Sequence, residues 1–356
     1  MDGVPGPDHP IAREAIADAA AALRSGELVA FPTETVYGLG ANALDPEAVA
    51  RIYAAKGRPA WNPVIAHVAS IEAAQALARE WPPVAEALAR AFWPGPLTLV
   101  VPKAPHVPAI VTAGHDAVAL RVPAHPVALA LVAAAGVPIA APSANRFTQI
   151  SPTTAAHVRA SLGDRVERIL DGGPCTVGIE STVVDCTTTP VRILRPGMVT
   201  REMLAQVLEP LGVSVVEASE GRVSHTASTV DADRAPRAPG MVDRHYAPSA
   251  DVWLVDGDQT EALLEELRTA LLGYLAAPRP AGGPPGVVAL WRTLALAVPG
   301  VEVIRMPADP VGYAQRLYGA LHAADAGGAT LVVIERPPAD GAGWAGVRDR
   351  LTRASR

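Results

Sequence analysis

The chain has 356 residues, enough for two domains that each bury a core of their own. Its formal net charge of −6 argues against a general binder of nucleic acid or of a membrane surface, which would need positive charge. Apolar residues make up 49% of the chain but aromatic ones only 4%, so an interior of Ala, Val and Leu is expected.

Of the 30 basic residues only Lys56 and Lys103 are lysines, a bias that GC-rich coding would produce. Cys175 and Cys186 are too few for a disulfide framework, and neither has metal-ligand spacing to a partner, so no metal site is expected. The first 22 residues are acidic and lack the basic start and apolar core of a signal peptide. The longest apolar stretch, 126–142, is broken by Gly136 and Pro138, which fits a helix followed by a buried strand better than a membrane span. A soluble, cytoplasmic protein is expected.

In chain order, the periodicity predicts an amphipathic helix over 11–24 and strands at 28–31, 64–68, 97–101 and 117–121. Helices are predicted over 46–55, 70–79, 83–91 and 125–135. A buried strand at 137–141 runs into Pro142-Ser143-Ala144-Asn145, and a helix follows Ser151-Pro152-Thr153-Thr154, where a hydroxyl can cap it. Strands fit 168–171, 181–186 and 191–194, and a helix fits 200–209. The mixture is α/β without a regular βαβ repeat. Residues 217–240 lose periodicity and read as a linker, which ends in Ala238-Pro239-Gly240-Met241 and then Arg244-His245-Tyr246-Ala247-Pro248. Beyond it, strand 251–255, helix 259–275, a Pro/Gly loop 277–285, strands 286–291 and 301–305, helix 310–324, strand 329–334 and helix 344–354 give the alternation of a parallel, helix-covered sheet. The expected division is 1–215, a linker or lid at 216–249, and 250–356.

Two short blocks carry most of the chemistry. Pro32-Thr33-Glu34-Thr35-Val36-Tyr37-Gly38-Leu39-Gly40 is a hydroxyl-rich loop after an apolar strand, ending in two glycines. Lys56-Gly57-Arg58-Pro59 places two cations on a turn, with Asn62 and His67 just beyond. Polar groups at a strand exit facing two cations suit a small anion such as a nucleotide. The glycines are not a dinucleotide fingerprint, because a six-residue polar segment intervenes after the strand and residues 56–62 offer no acid. No Gly-Lys-Ser/Thr phosphate loop and no Gly-x-Ser-x-Gly elbow occurs.

Asn62, His67, Arg121, Ser143, Asn145 and Ser181 all end apolar runs, where strand ends meet a cleft. A lone His67 is more often a hydrogen-bonded core histidine. Arg121, after Ala117-Val118-Ala119-Leu120, is expected to be half buried and to need an anion from the protein or a ligand. Phe92-Trp93-Pro94-Gly95-Pro96-Leu97-Thr98 reads as architecture, a turn that launches a strand. Glu180-Ser181-Thr182 fits either a strand start or a ligand contact.

Together, residues 32–42, 56–62, 92–99, 121–123, 141–145, 151–154, 180–185 and 194–197 resemble the YrdC family over 10–205. His245-Tyr246-Ala247-Pro248 and the domain after it resemble the family's longer branch. The resemblance implies a twisted mixed α/β sheet around a deep, positively charged cavity, with a smaller Rossmann-like α/β/α domain after the linker. It also implies an L-threonylcarbamoyladenylate synthase, a nucleotidyltransferase joining L-threonine, bicarbonate and ATP, with Mg²⁺, into threonylcarbamoyl-AMP and pyrophosphate. The product would pass to the machinery that modifies position 37 of tRNA, with no membrane and no stable nucleic-acid partner. On this chain the resemblance assigns Lys56, Arg58, Ser143 and Asn145 to catalysis and nucleotide binding. Thr35, His67, Arg121 and Ser181 match threonine-binding positions. Asn62, Ser151, Arg195 and Tyr246, with backbone near Ala117 and Ala141, match ATP contacts. Arg244, His245 and Tyr246 would form a lid over the cavity. Phe147-Thr148-Gln149 departs from the family's small turn. The rivals are a carbamoyl-adenylate former, for which 217–356 is too short to hold the extra transferase domain, and an RNA-binding module, which the acidic balance disfavours.

Overall fold

The structure is a computed structural model that describes residues 13–217, 245–256, 261–276, 286–292, 298–339, 341 and 343–356. The expected linker 217–240, apart from Glu217, lies outside these residues, as do Arg244, the loop 277–285 and the first residues of helices expected from 11 and 259. Among described residues two units form, 13–147 with 151–217, and 148–150 with 245–356.

The first unit runs α1 (Arg13–Arg24), β1 (Val29–Phe31), β2 (Gly38–Asn42), α2 (Pro46–Lys56), β3 (Ile65–His67), α3 (Ile71–Gln75), α4 (Pro83–Phe92), β4 (Leu97–Pro102), β5 (Ala117–Arg121) and α5 (Pro126–Ala135). It continues with β6 (Ile139–Ala140), α6 (Ala155–Leu162), β7 (Arg168–Ile169), β8 (Thr182–Asp185), β9 (Val191–Arg195), α7 (Arg201–Leu208) and β10 (Val215–Glu217). The strands make one ten-stranded sheet in the order β10-β9-β8-β4-β5-β3-β6-β2-β1-β7, with parallel and antiparallel pairs mixed.

Alternation along the strands decides what each face carries. Ala66, Leu99, Val101, Val118, Leu120 and Val184 point into a core shared with Ile52 of α2, Leu88 of α4 and Leu204 of α7. Around β1 and β6 a second core holds Ile16 and Leu23 of α1 with Val127 and Leu131 of α5. The residues between those of the first core, Ile65, Val100, Ala119, Val183 and Leu194, form a small apolar patch to which no helix contributes.

Several elements differ from the sequence expectation. Gly38 and Gly40 are part of strand β2, paired with β1 and β6, not the end of a loop. A Cβ on Gly40 would stand 2.8 Å from Ile139 Cγ2 and from Phe31 Cε1, so the glycine lets neighbouring side chains lie across the strand. The helix expected over 70–79 stops at Gln75, after a start capped by Ser70. The strand expected over 137–141 pairs only at Ile139 and Ala140, and that over 168–171 only at Arg168 and Ile169. β10 is an edge strand that sequence periodicity did not separate from the linker.

The second unit runs β11 (Asp251–Asp256), α8 (Glu261–Ala276), β12 (Gly286–Trp291), β13 (Val301–Arg305), α9 (Pro310–Ala326), β14 (Ala329–Arg336) and α10 (Trp344–Ala354). Its four strands are parallel, in the order β11-β14-β12-β13. Leu267 and Leu271 of α8 pack on Val287, Ala289, Trp291, Leu331 and Val333.

One close approach ties the fold to the polar strand ends. A Cβ on Gly197 would lie 2.5 Å from Thr182 N, 2.8 Å from Thr182 Oγ1 and 2.9 Å from Glu180 O. Two of these atoms are backbone and cannot swing aside. Gly197→Ala is therefore expected to lower stability by about 1–3 kcal/mol, read as a lower urea midpoint than wild type.

Candidate active site

α2 begins at Asp45, whose carboxylate accepts from the N–H groups of Glu47 and Ala48, with Pro46 in the first turn. It ends at Gly57, which takes the left-handed conformation (φ 63°) that lets its N–H return to Ala54 O and Tyr53 O. Lys56, the last helical residue, is thereby turned inward and is 2% exposed. Its Nζ donates to the carbonyl of Ser143 at 2.5 Å and to that of Asn145. Burial, with the nearby Arg58, holds the Lys56 ammonium well below its usual pKa, and Glu180 opposes that shift.

Arg58, just past the turn, donates from Nε to Asn62 O (3.1 Å) and from Nη2 to Asn62 Oδ1 (2.6 Å) and Pro63 O (2.7 Å). Among the described residues the buried Asn62 Nδ2 has no partner. The loop carrying Ser143 and Asn145 is stitched to β2 and to the end of α2. Leu39 N donates to Pro142 O, Ala144 N to Tyr37 O and Phe147 N to Lys56 O, each at 2.8 Å. Ser143 is half buried and Asn145 buried.

The second group projects from the strand face that carries the small buried apolar patch. His67 follows Ile65 by two residues and Arg121 follows Ala119 by two, so both side chains share the patch face. The two are register partners across β3 and β5. Arg121 is 3% exposed, donating from Nε to Gly95 O (3.2 Å) and from Nη1 to Thr35 Oγ1 (3.0 Å). Its Nη2 lies 2.7 Å from Glu34 Oε1. The contact is an ion pair without hydrogen-bond alignment, since among the described residues Nη2 and both Glu34 oxygens lack a hydrogen-bond partner. Thr33 builds the loop beneath, accepting from Thr35 N and Val36 N at 3.2 Å and donating to Val36 O at 2.6 Å.

Ser181 Oγ lies 2.8 Å from Thr98 Oγ1 and accepts from Arg195 Nη2 at 3.2 Å, while Arg195 Nε donates to Ser181 O at 3.1 Å. Ser151 Oγ donates to Glu180 Oε1 at 2.5 Å. Ala141 N donates to Ile65 O, and Ala117 packs on the patch at the far end of β5, about 13 Å along the strand from Arg121. Tyr246 belongs to the second unit. Its ring is 1% exposed, 5.9 Å from that of Tyr318 and 5.1 Å beneath the Arg350 guanidinium.

Thus Lys56, Ser143 and Asn145 meet directly, as do Arg58 with Asn62, Thr35 with Arg121 and Ser181 with Arg195. Sequence reasoning passed over three partners: Glu34 beside Arg121, Glu180 beside Ser151, and Thr98 beside Ser181. Glu34 and Glu180 sit within the quoted motifs, and their adjacency to Thr35 and Ser181 was the available signal. Thr98 lies 83 positions from Ser181, and only the parallel pairing of β4 with β8 joins them.

His67 carries a pH signature. Burial first, then the Arg121 charge, lowers its pKa to about 3 against an ordinary value of about 6.5. The folded chain therefore binds fewer protons here than the unfolded chain below about pH 6.5, so stability falls with pH through that region. This group costs about 2 kcal/mol between pH 7 and pH 5. Urea unfolding followed by circular dichroism at the two pH values should show that loss, and His67→Gln should remove it.

Known proteins resemble the chain over most of its length. Residues 21–197 match the Sua5–YciO–YrdC family, described as telomere recombination, and residues 199–356 match the family described as threonylcarbamoyl-AMP synthase, C-terminal domain. A threonylcarbamoyl-AMP synthase of Pyrococcus abyssi is 44% identical, covering 95% of this chain and 93% of that one. One of Bacillus subtilis is 39% identical, covering 96% and 92%. Among solved structures, P. abyssi Sua5 complexed with L-threonine superposes with a TM-score of 0.83 at 41% identity, covering 97% of this chain and 95% of that chain. A P. abyssi Sua5 with a histidine and the next tyrosine changed to alanine gives 0.84 at 40%, covering 97% and 94%. With relatives aligned across both units and over nearly their whole length, the chain belongs to the threonylcarbamoyl-AMP synthase family.

Proposed function

We propose that the chain is an L-threonylcarbamoyladenylate synthase, taking L-threonine, bicarbonate and ATP to threonylcarbamoyl-AMP and pyrophosphate in the cytoplasm. The observation that carries the reading is the buried Arg121 guanidinium beside the Thr35 hydroxyl and His67. A cation held in place at a strand end, with hydroxyls around it, is suited to an amino-acid carboxylate and a hydroxylated side chain. His67 stays neutral at physiological pH, so it meets the amino acid as a hydrogen-bonding ring and not as a second cation.

In this reading Arg121 binds the threonine carboxylate, and Thr35, His67 and Ser181 surround the rest of the molecule. A carbamate oxygen of N-carboxylated threonine attacks the α-phosphorus and pyrophosphate leaves. Lys56 and Arg58 neutralise the charge that develops on the leaving phosphates, with Ser143 and Asn145 beside them. Asn62, whose buried amide N–H groups lack a partner among the described residues, Ser151 and Arg195 hold the nucleotide, with backbone at Ala117 and Ala141. The chain's own donors do not fit a resident metal cage. Lys56 and Arg58 are cations, and among the described residues no three His, Cys, Asp or Glu side chains gather. Mg²⁺ belongs to the reaction as part of the MgATP substrate. The product, a reactive mixed anhydride, passes to the transferase that acts on tRNA.

Pyrophosphate release from ATP should require both threonine and bicarbonate, with the adenylate visible by mass spectrometry. Equal release with either omitted, or with serine or valine as effective as threonine, overturns the assignment. Arg121→Ala should weaken threonine by about 2–5 kcal/mol while barely changing ATP affinity. Calorimetry with each ligand separates the two, and unchanged threonine affinity would make Arg121 a structural ion-pair residue.

A further inference from the structure

Among the described residues the Glu34 carboxylate is the one acid in contact with the guanidinium that this reading gives to threonine. Its side chain is 7% exposed, and among the described residues neither oxygen has a hydrogen-bond donor. The loop fixes the residue from both sides. Glu34 O accepts from Val177 N at 2.7 Å, and the flanking Thr33 and Thr35 hydroxyls lie 2.8 Å from each other. A buried carboxylate with unused acceptor capacity is costly unless something cationic completes it. Arg121 does so incompletely, because Nη2 is near in distance but misaligned.

An α-amino acid brings opposite charges on adjacent atoms. If its carboxylate takes the Arg121 guanidinium, a second carboxylate at the same cation is left buried beside a like charge. The ammonium next to the incoming carboxylate is the group that resolves this. We propose that Glu34 receives the α-ammonium of the amino-acid substrate and accepts its proton as the carbamate forms. The proposal rests on the reading of Arg121 given above. Guanidinium and carboxylate together then select a zwitterion, and the charge of the pocket is the same before and after binding.

The proton step balances. The threonine nitrogen bonds to the carbon of bicarbonate, and a carbon–oxygen bond of bicarbonate breaks. That oxygen leaves as water, carrying its own hydrogen and one ammonium proton. A second ammonium proton moves to Glu34, and the third stays on the carbamate nitrogen. Among the described residues the titratable groups facing Glu34 are Arg121, Cys175 and, across the guanidinium, His67. Burial pushes the Cys175 thiol up to about 12, and His67 lies at about 3. Neither exchanges a proton between about pH 6 and pH 9, which leaves Glu34 as the acceptor next to the ammonium.

The test uses the full chain and three measurements. Wild type should bind threonine at least about 100-fold more tightly by calorimetry than the 2,3-dihydroxybutanoate of matching stereochemistry, which has a hydroxyl in place of the amine. Glu34→Gln should lose that discrimination, with threonine KM raised. Its kcat should fall about 100-fold or more and climb with pH, because only amine already free in solution can react. Equal wild-type affinity for the two ligands overturns the proposal without any variant. So does a Glu34→Gln chain with the wild-type KM and pH profile, and a raised KM with an unchanged profile overturns the proton step. A wild-type chain that releases no pyrophosphate in response to threonine overturns the reading of the site, and the proposal with it.

Discussion

The first unit is organised by the problem of keeping cations charged out of water. Removing an ammonium or guanidinium from solvent costs several kcal/mol unless oxygens replace its hydration shell. For Lys56 those oxygens are two backbone carbonyls, and for Arg58 they are two carbonyls and an amide oxygen. Carbonyl oxygens supply hydrogen bonds without cancelling the charge. The requirement reaches into the rest of the fold, because carbonyls converge only where backbone is held rigidly. α2 must end at a left-handed glycine, and the segment after β6 must be sewn to β2 at Leu39 and Ala144. β2 in turn must be glycine-rich to lie between β1 and β6.

Much of this was legible in the sequence for a physical reason. A charged residue closing an apolar run of four can neither stay in the core nor escape it, so Arg121 announced itself at a strand end. The cations after α2 stood out because a helix, a glycine and a proline fix where they point. What stayed hidden depends on partners far along the chain. Gly38 and Gly40 have the local signature of a loop, and only Ile139 and Phe31, brought alongside by pairing, make them a strand. The Ala-rich stretch after Ser70 has no breaker, yet its helix stops early and Leu77 and Ala78 return to bond with Ala104 and Lys103.

The second unit was easier to read, since an all-parallel sheet repeats one local pattern of strand and helix. Its surprise is the segment expected at the end of the linker as part of a lid. His245 N donates to Arg353 O, Ala247 N to Thr148 O, and Ser249 N to the Asp325 carboxylate. Tyr246 takes a left-handed backbone (φ 62°) with its ring enclosed. A β-carbon-bearing residue is held in that conformation only when its surroundings over-determine it. The described part of the motif is thus an anchored element of the second unit.

Lys56 also bears on how freely the chain can change. Everywhere else but Lys103, positive charge is carried by arginine, and on a solvated surface that exchange costs little. At position 56 the two carbonyls converge on a point, which a compact ammonium with rotatable donors satisfies and a flat, forked guanidinium does not. The shape made by two peptide oxygens thus sets which cation position 56 can carry.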